Sequence, residues 1–164
     1  MKSPETVDAI ALLEEQHHEV DALFEALEKK GADKRLIFNR IADALAVHAT
    51  IEEKIFYPMV KAASTEDILL ESLEEHLGIK RLIADLLRMS PSDQMFEAKC
   101  TVLKEQVQHH VGEERSELFP KVRRLVDKAQ LLVIGEQMAG MALETASTNP
   151  RLKVPSETAK APAL

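Results

Sequence analysis

The 164-residue sequence predicts an all-α protein, an up-down-up-down antiparallel four-helix bundle with an additional short C-terminal helix. Three observations predict it. Four long segments, roughly 5–29, 34–62, 66–89 and 93–126, carry apolar residues at alternating three- and four-residue spacing, and a shorter fifth lies near 128–146. The breaks between them are short and rich in helix stops and N-caps, and short connections between helices of similar length favour antiparallel neighbours. No stretch alternates with the two-residue period of a strand. With 45% hydrophobic residues and five glycines, the chain has room for one domain with a continuous core.

The first segment puts Ile10, Leu13, His17, Val20, Phe24 and Leu27 on one face, so His17 takes a core position while His18 falls about 100° away. Gly31 followed by Asp33 stops this segment and caps the next. The second stripe is Ile37, Ile41, Leu45, His48, Glu52, Ile55 and Met59. Ser64-Thr65-Glu66-Asp67 then gives a cap with acidic residues in the first turn, ahead of the third stripe, Leu69, Leu73, His76, Ile83 and Leu87. Ser90-Pro91-Ser92-Asp93 combines a proline stop with a new cap, and the fourth stripe runs Phe96, Cys100, Leu103, Val107, His110, Glu114 and Leu118. Here the register selects His110 over His109. The fifth segment, Leu131 to Leu143, is more apolar than a free surface helix, so it either caps the bundle or forms an oligomer contact, capping being the first choice. Residues 1–146 thus read as the bundle with its C-terminal helix. Residues 147–164, with Pro150, Pro155 and Pro162 among small polar residues, read as a flexible tail without a core of its own.

The pattern His-x-x-x-Glu-x-x-x-x-x-Pro occurs twice, at His48–Glu52–Pro58 and at His110–Glu114–Pro120, 62 residues apart. A further histidine precedes each copy, His17 and His76. Counting from the break near Gly31, His17 lies 14 residues back and His48 lies 17 forward, and from Ser64 both Glu52 and His76 are 12 away. From Pro91, His76 is 15 back and His110 is 19 forward. At about 1.5 Å of rise per residue, all six side chains fall within one narrow slab of the bundle.

A lone core histidine is ordinarily a hydrogen-bonded structural residue. Six polar residues change the balance, because at roughly 1–3 kcal/mol for each unsatisfied buried group the sum approaches a whole domain's stability of about 5–15 kcal/mol. Mutual His–Glu hydrogen bonds can satisfy part of it. Imidazole and carboxylate four residues apart on facing helices are also a donor set that iron, manganese or zinc accepts. Two glutamates among four histidines suggest carboxylates bridging two ions, since one ion would leave ligands unused. The carboxylate-rich Glu-x-x-His pattern of ferritin-like bundles is met only by Glu14 and His17 and fits poorly.

The runs Leu12-Leu13-Glu14-Glu15-Gln16-His17, His48-Ala49-Thr50-Ile51-Glu52-Glu53-Lys54-Ile55-Phe56-Tyr57-Pro58, Glu75-His76 and His110-Val111-Gly112-Glu113-Glu114-Arg115-Ser116-Glu117-Leu118-Phe119-Pro120 resemble the hemerythrin-like, or HHE cation-binding, domain over about residues 7–126. The resemblance implies a four-helix bundle around an oxo- or hydroxo-bridged pair of iron ions. It makes His17, His48, His76 and His110 terminal ligands, and Glu52 and Glu114 bridges. It implies a small ligand, dioxygen, peroxide or nitric oxide, that is bound, sensed or reacted with. The alternatives are a peroxide- or nitric-oxide-processing di-iron enzyme and an iron store or iron sensor. Oxygen-carrying members have a fifth histidine one turn from the third-helix histidine, where this chain has Ser72 and Lys80, and their last carboxylate is Asp at five residues rather than Glu at four. The missing imidazole argues for a more open iron and against reversible oxygen carriage. Glu53, Glu113 and Tyr57 are candidate replacements, but each lies off the apolar stripe and is expected at the boundary or in solvent, as are Glu15 and Glu75.

The net charge of −7 and the scattered Lys and Arg make nucleic acid a poor partner. Cys100, the single cysteine, excludes an internal disulfide and reads as a buried small hydrophobe. Lys2, Glu5 and Asp8 charge the N-terminus, and no run approaches a membrane span, so a cytoplasmic protein, monomeric or weakly self-associating, is expected. The two aromatic-proline steps, Tyr57-Pro58 and Phe119-Pro120, are expected to bend their helices and close the bundle end.

Overall fold

Aspartate side chains start three of the helices. The computed structural model describes residues 7–164. Asp8 accepts the Ala11 N–H at 2.8 Å to open α1 (Ala9–Glu28). Asp33 accepts the Leu36 N–H at 3.1 Å to open α2 (Lys34–Ile51), after Gly31 turns the chain at φ 79°. Asp127 does the same for α7 (Lys128–Ala146), at 2.9 Å from the Gln130 N–H. Each satisfies an N–H that the helix itself leaves unpaired. Residues 5 and 6, the start of the first sequence segment, lie outside the described residues.

The second rod of the bundle is α2, a π turn over Glu52–Phe56, and α3 (Tyr57–Val60) in unbroken succession. The third is α4 (Glu66–Arg88), and the fourth is α5 (Phe96–Glu113), a π turn over Glu114–Leu118, and α6 (Phe119–Leu125). Thr65 joins the second rod to α4, accepting the Ala62 N–H and donating to the Val60 carbonyl, both at 2.9 Å. With α1 these rods form the four-helix bundle, and α7 packs along α1 and α2 with Leu131, Ile134 and Met138 buried.

The two π turns correct the straight-helix register. In each, the backbone carbonyl of the motif glutamate accepts from the residue five positions on: Glu52 from Tyr57, and Glu114 from Phe119. A proline follows directly, so the widened turn sits where a proline ring would crowd the preceding turn of an α-helix. One extra residue per turn moves every later inward position by one. Phe56 and Val60 are therefore buried where the α-period selects Ile55 and Met59, and Met59 is 54% exposed. At the prolines, where the sequence suggests a bend, the structure has a widened turn with a shifted register.

The core is divided. Val20, Phe24, Phe38, Ile41, Ile83 and Leu103 belong to an apolar cluster at one end, and Ile10, Leu13, Ile51, Phe56, Leu69 and Leu118 to a second at the other. The buried polar residues lie in a band between them. Cys100 packs in the first cluster, and burial pushes its thiol up to about 11, which leaves it an inert hydrophobe.

The C-terminal residues depart from the flexible tail that composition predicts. Pro150–Glu157 form a 3-10 helix, and Val154 is 2% exposed, packed into the first apolar cluster. Asp43 accepts from both the Arg151 backbone N–H, at 3.0 Å, and its guanidinium, at 2.9 Å. The segment has no core of its own, but it borrows the bundle's.

Candidate metal centre

His17 on α1, His48 on α2, His76 on α4 and His110 on α5 are all buried, as are Glu52 and Glu114 at the starts of the two π turns. His18 and His109 are exposed. Two triads result. His17, His48 and Glu114 bring one ligand atom each to within 4.8 Å of one another, and Glu52, His76 and His110 do the same. Each triad draws its carboxylate and one histidine from different copies of the repeated motif, so neither half of the chain makes a triad alone.

The carboxylates also face across. Glu114 Oε1 lies 3.3 Å from His17 Nε2 and 4.0 Å from His48 Nε2, and 3.2 Å from His110 Nε2 of the other triad. Glu52 Oε1 lies 4.0 Å from His76 Nε2 and in close contact with His48 Nε2. These atoms are near one another without the directions a hydrogen bond needs. Both His17 nitrogens, His48 Nε2, both Glu52 oxygens and Glu114 Oε1 are buried with no hydrogen-bond partner. Such atoms cost about 1–3 kcal/mol each when left unsatisfied, so six at one depth call for a partner, and a cation suits their donor set.

The outer ring nitrogens are mostly fixed. Gln16 Oε1 lies 2.7 Å from His48 Nδ1, Glu53 Oε2 lies 2.7 Å from His76 Nδ1, and Glu75 Oε1 lies 3.0 Å from His110 Nδ1. Each contact turns Nε2 inward, the arrangement by which a metal-binding histidine is oriented and made more basic. His17 Nδ1 has no such partner. Glu53 and Glu75, expected at the boundary or in solvent from the sequence, lie part-buried at the boundary and support the histidines from outside.

Tyr57 was also expected at the boundary, and it is fully buried in the site. Its hydroxyl lies 3.3 Å from His76 Nε2 and donates to Glu114 Oε2 at 3.3 Å. The π turn explains this, because at about 100° per residue an α-helix would carry Tyr57 far from the face of Glu52. The proline after each aromatic was the available signal. Phe119 holds the matching place in the other copy and stacks on His17, ring centroids 6.1 Å apart, with no donor atom. Ser72 and Lys80, the positions of the absent fifth histidine, are buried. Glu113 pairs instead with exposed His109, at 3.1 Å.

Burial pushes the His17 imidazole below its usual range, and Tyr57 is driven well up by burial and by Glu114 and Glu52. Burial alone would lower His48 and His110 too. Glu52 and Glu114 instead raise His48 to about 9, and Glu114 and Glu75 hold His110 well above the ordinary value. Glu114 is kept well below the carboxylate range, against burial, by His110, His17 and His48. The carboxylates draw protons onto the imidazoles because the band lacks positive charge. A bound cation meets the same demand and releases those protons.

The profile of the Hemerythrin HHE cation binding domain matches residues 8–122. The chain belongs to the hemerythrin HHE cation-binding domain family. A hemerythrin HHE cation-binding domain-containing protein from Mycobacterium kansasii shares the fold at 22% identity, with a TM-score of 0.76 over 93% of this chain and 94% of that one. A DNA nickase from Nostoc sp. is 30% identical over 116 residues, which cover 70% of this chain. The matched stretch is only 33% of that relative's length. The HHE domain binds metal cations, and the two buried triads are clusters that could hold one, as is the more exposed group Glu75, His109 and Glu113. Among the described residues of this HHE chain, no helix is long and apolar enough to cross a membrane.

Proposed function

We propose that this is a non-haem di-iron protein that binds, senses or reacts with dioxygen or a related small molecule, peroxide or nitric oxide. Glu52 and Glu114 would be shared between the two irons, and His17, His48, His76 and His110 would each hold one of them. The observation that carries the reading is that each carboxylate faces histidines of both triads. A single ion would leave those second faces unused.

Tyr57 joins the Glu52–His76–His110 triad as an oxygen donor, while Phe119 gives the His17–His48–Glu114 triad none. The two positions are therefore unequal, and the His17 side is the more open to an added molecule. Bound iron supplies redox and Lewis-acid chemistry. The chain's residues do the rest. Glu53 and Glu75 hold His76 and His110 in orientation, and the two apolar clusters keep bulk water from the band.

The same inequality favours, as a second reading, an enzyme that processes peroxide or nitric oxide. The lone buried Cys100 suits a reducing, cytoplasmic home. The nicking named for the Nostoc relative is not adopted, since a net charge of −7 opposes a phosphate backbone. Elemental analysis of protein expressed with ample iron should approach two irons per chain. A value that stays near one, or a preference for zinc, would overturn the di-iron reading.

A further inference from the structure

Beside the histidine band lies a small apolar cavity of about 30 Å³, reached by His17, His48, His76 and His110 and walled by Val20, Leu45, Ile83 and Val107. A second, polar hollow of about 270 Å³ lies outside it, lined by Thr50, Lys54, Glu144, Thr148 and Lys153. Ala46, Lys80 and Val154 line both. All three are buried, so together they form the partition between the hollow and the centre.

Val154 comes from the 3-10 segment, and Lys80 is bound to it. The ammonium of Lys80 lies 3.0 Å from Glu157 Oε2 and 3.0 Å from Glu53 Oε1, and Glu53 in turn holds His76. Arg81 donates to the carbonyls of Thr158 and Ala159 just beyond. A 3-10 helix has poorer hydrogen bonds than an α-helix, and this one is attached by a few polar ties and two buried apolar residues, Pro150 and Val154. Segments of that kind open locally at far lower cost than the bundle core.

We propose that Val154 and Lys80 form a gate, through which the 3-10 segment admits small uncharged molecules from the polar hollow to the histidine band. A water needs roughly 10–15 Å³ of such space, so the inner cavity holds a molecule of about two heavy atoms. Val20, Leu45, Ile83 and Val107 offer nothing to offset the burial of a charge on the way to the histidines. Lys80 is already neutralised by two carboxylates and does not draw anions in. The gate rests on the di-iron reading for its purpose, whereas the cavity and its partition exist without metal.

The test uses the full chain with Val154→Ala, with Glu157→Gln, which touches only a half-exposed side chain, and with Leu152→Ala as a control in the same segment outside the partition. In metal-free protein, xenon exchange with the inner cavity is followed by NMR. Val154→Ala and Glu157→Gln should each speed it by about tenfold, as expected when binding waits on a conformational opening, and Leu152→Ala should not. In iron-loaded protein, nitric oxide association should rise in the same two variants. Azide, an anion, should associate with the parent protein more slowly than nitric oxide and gain most from Glu157→Gln, which removes one of the two negative charges at Lys80. Faster xenon exchange in a protein that never takes up iron would support the gate while removing the di-iron reading. Unchanged xenon exchange and nitric oxide rates in both variants would overturn the gate, and parent azide rates matching those of nitric oxide would overturn its selection against charge.

Discussion

His48, His76 and His110 each spend one ring nitrogen on an outer partner and keep the other for the interior, and the partners differ. Gln16 is neutral, whereas Glu53 and Glu75 are carboxylates, so both histidines of the Glu52 triad are backed by a negative charge and His48 is not. Glu75→Gln keeps the contact and removes the charge. It is expected to weaken metal binding by about 10–100-fold, measured by competition with a chelator. His109→Ala should change affinity far less than Glu75→Gln, because that ring is 67% exposed and reaches the band only through Glu75, at 3.3 Å. Tyr57 offers a direct optical report, being the sole tyrosine in a chain without tryptophan. Tyrosine fluorescence should fall as metal is titrated in, and Tyr57→Phe should abolish the signal without unfolding the bundle. An unchanged emission on metal loading would place Tyr57 outside the ligand set.

At the scale of the element, the π turns and α7 matter most. The apolar period gave the helices and their inward histidines up to Glu52 and Glu114, because to that point each rod is a plain α-helix. Beyond it the period fails by one residue, and so Phe56, Val60 and above all Tyr57 were not legible as interior. The repeated aromatic-proline step marked the place but not the widened turn, which depends on how the proline ring and the packed aromatic are accommodated together. In α7, Gly135 lets the backbone of residues 7–9 pass close by. A Cβ there would stand 2.4 Å from the Val7 carbonyl oxygen and 2.8 Å from Ala9 N, both backbone atoms, whereas at Gly140 it would meet nothing within 4 Å. Gly135→Ala should therefore destabilise, since the backbone must move, and Gly140→Ala should stabilise by about 1 kcal/mol through helix propensity. Denaturant melts of the two variants check both signs.

For the whole molecule, the band of unsatisfied polar atoms between two apolar clusters means that stability and metal occupancy are linked. A ligand that binds only the folded state at about 100 times its dissociation constant adds about 2.7 kcal/mol, which for a domain of this size raises Tm by roughly 5–11 °C. Thermal melts with and without chelator should differ by that order. A melt that ignores the chelator in protein shown to be loaded would separate the band from the fold's stability. The docked 3-10 segment belongs to the same scale, since its Val154 completes one cluster and Glu157 reaches the Lys80–Glu53–His76 chain.

The sequence by itself determined the helices, the antiparallel bundle and the six residues that meet in one slab, because helical period and loop length act locally and regularly. Those two regularities are enough to tell His17 from His18 and His110 from His109. Tertiary structure decided what no period carries. It exchanged the motif copies between the triads, brought Tyr57 into the band through a widened turn, turned Glu53 and Glu75 onto the backs of the histidines, and seated Val154 in a core made by residues more than 40 positions away. Each of these depends on contacts between distant parts of the chain, where the surface left open by one element selects the side chain that fills it.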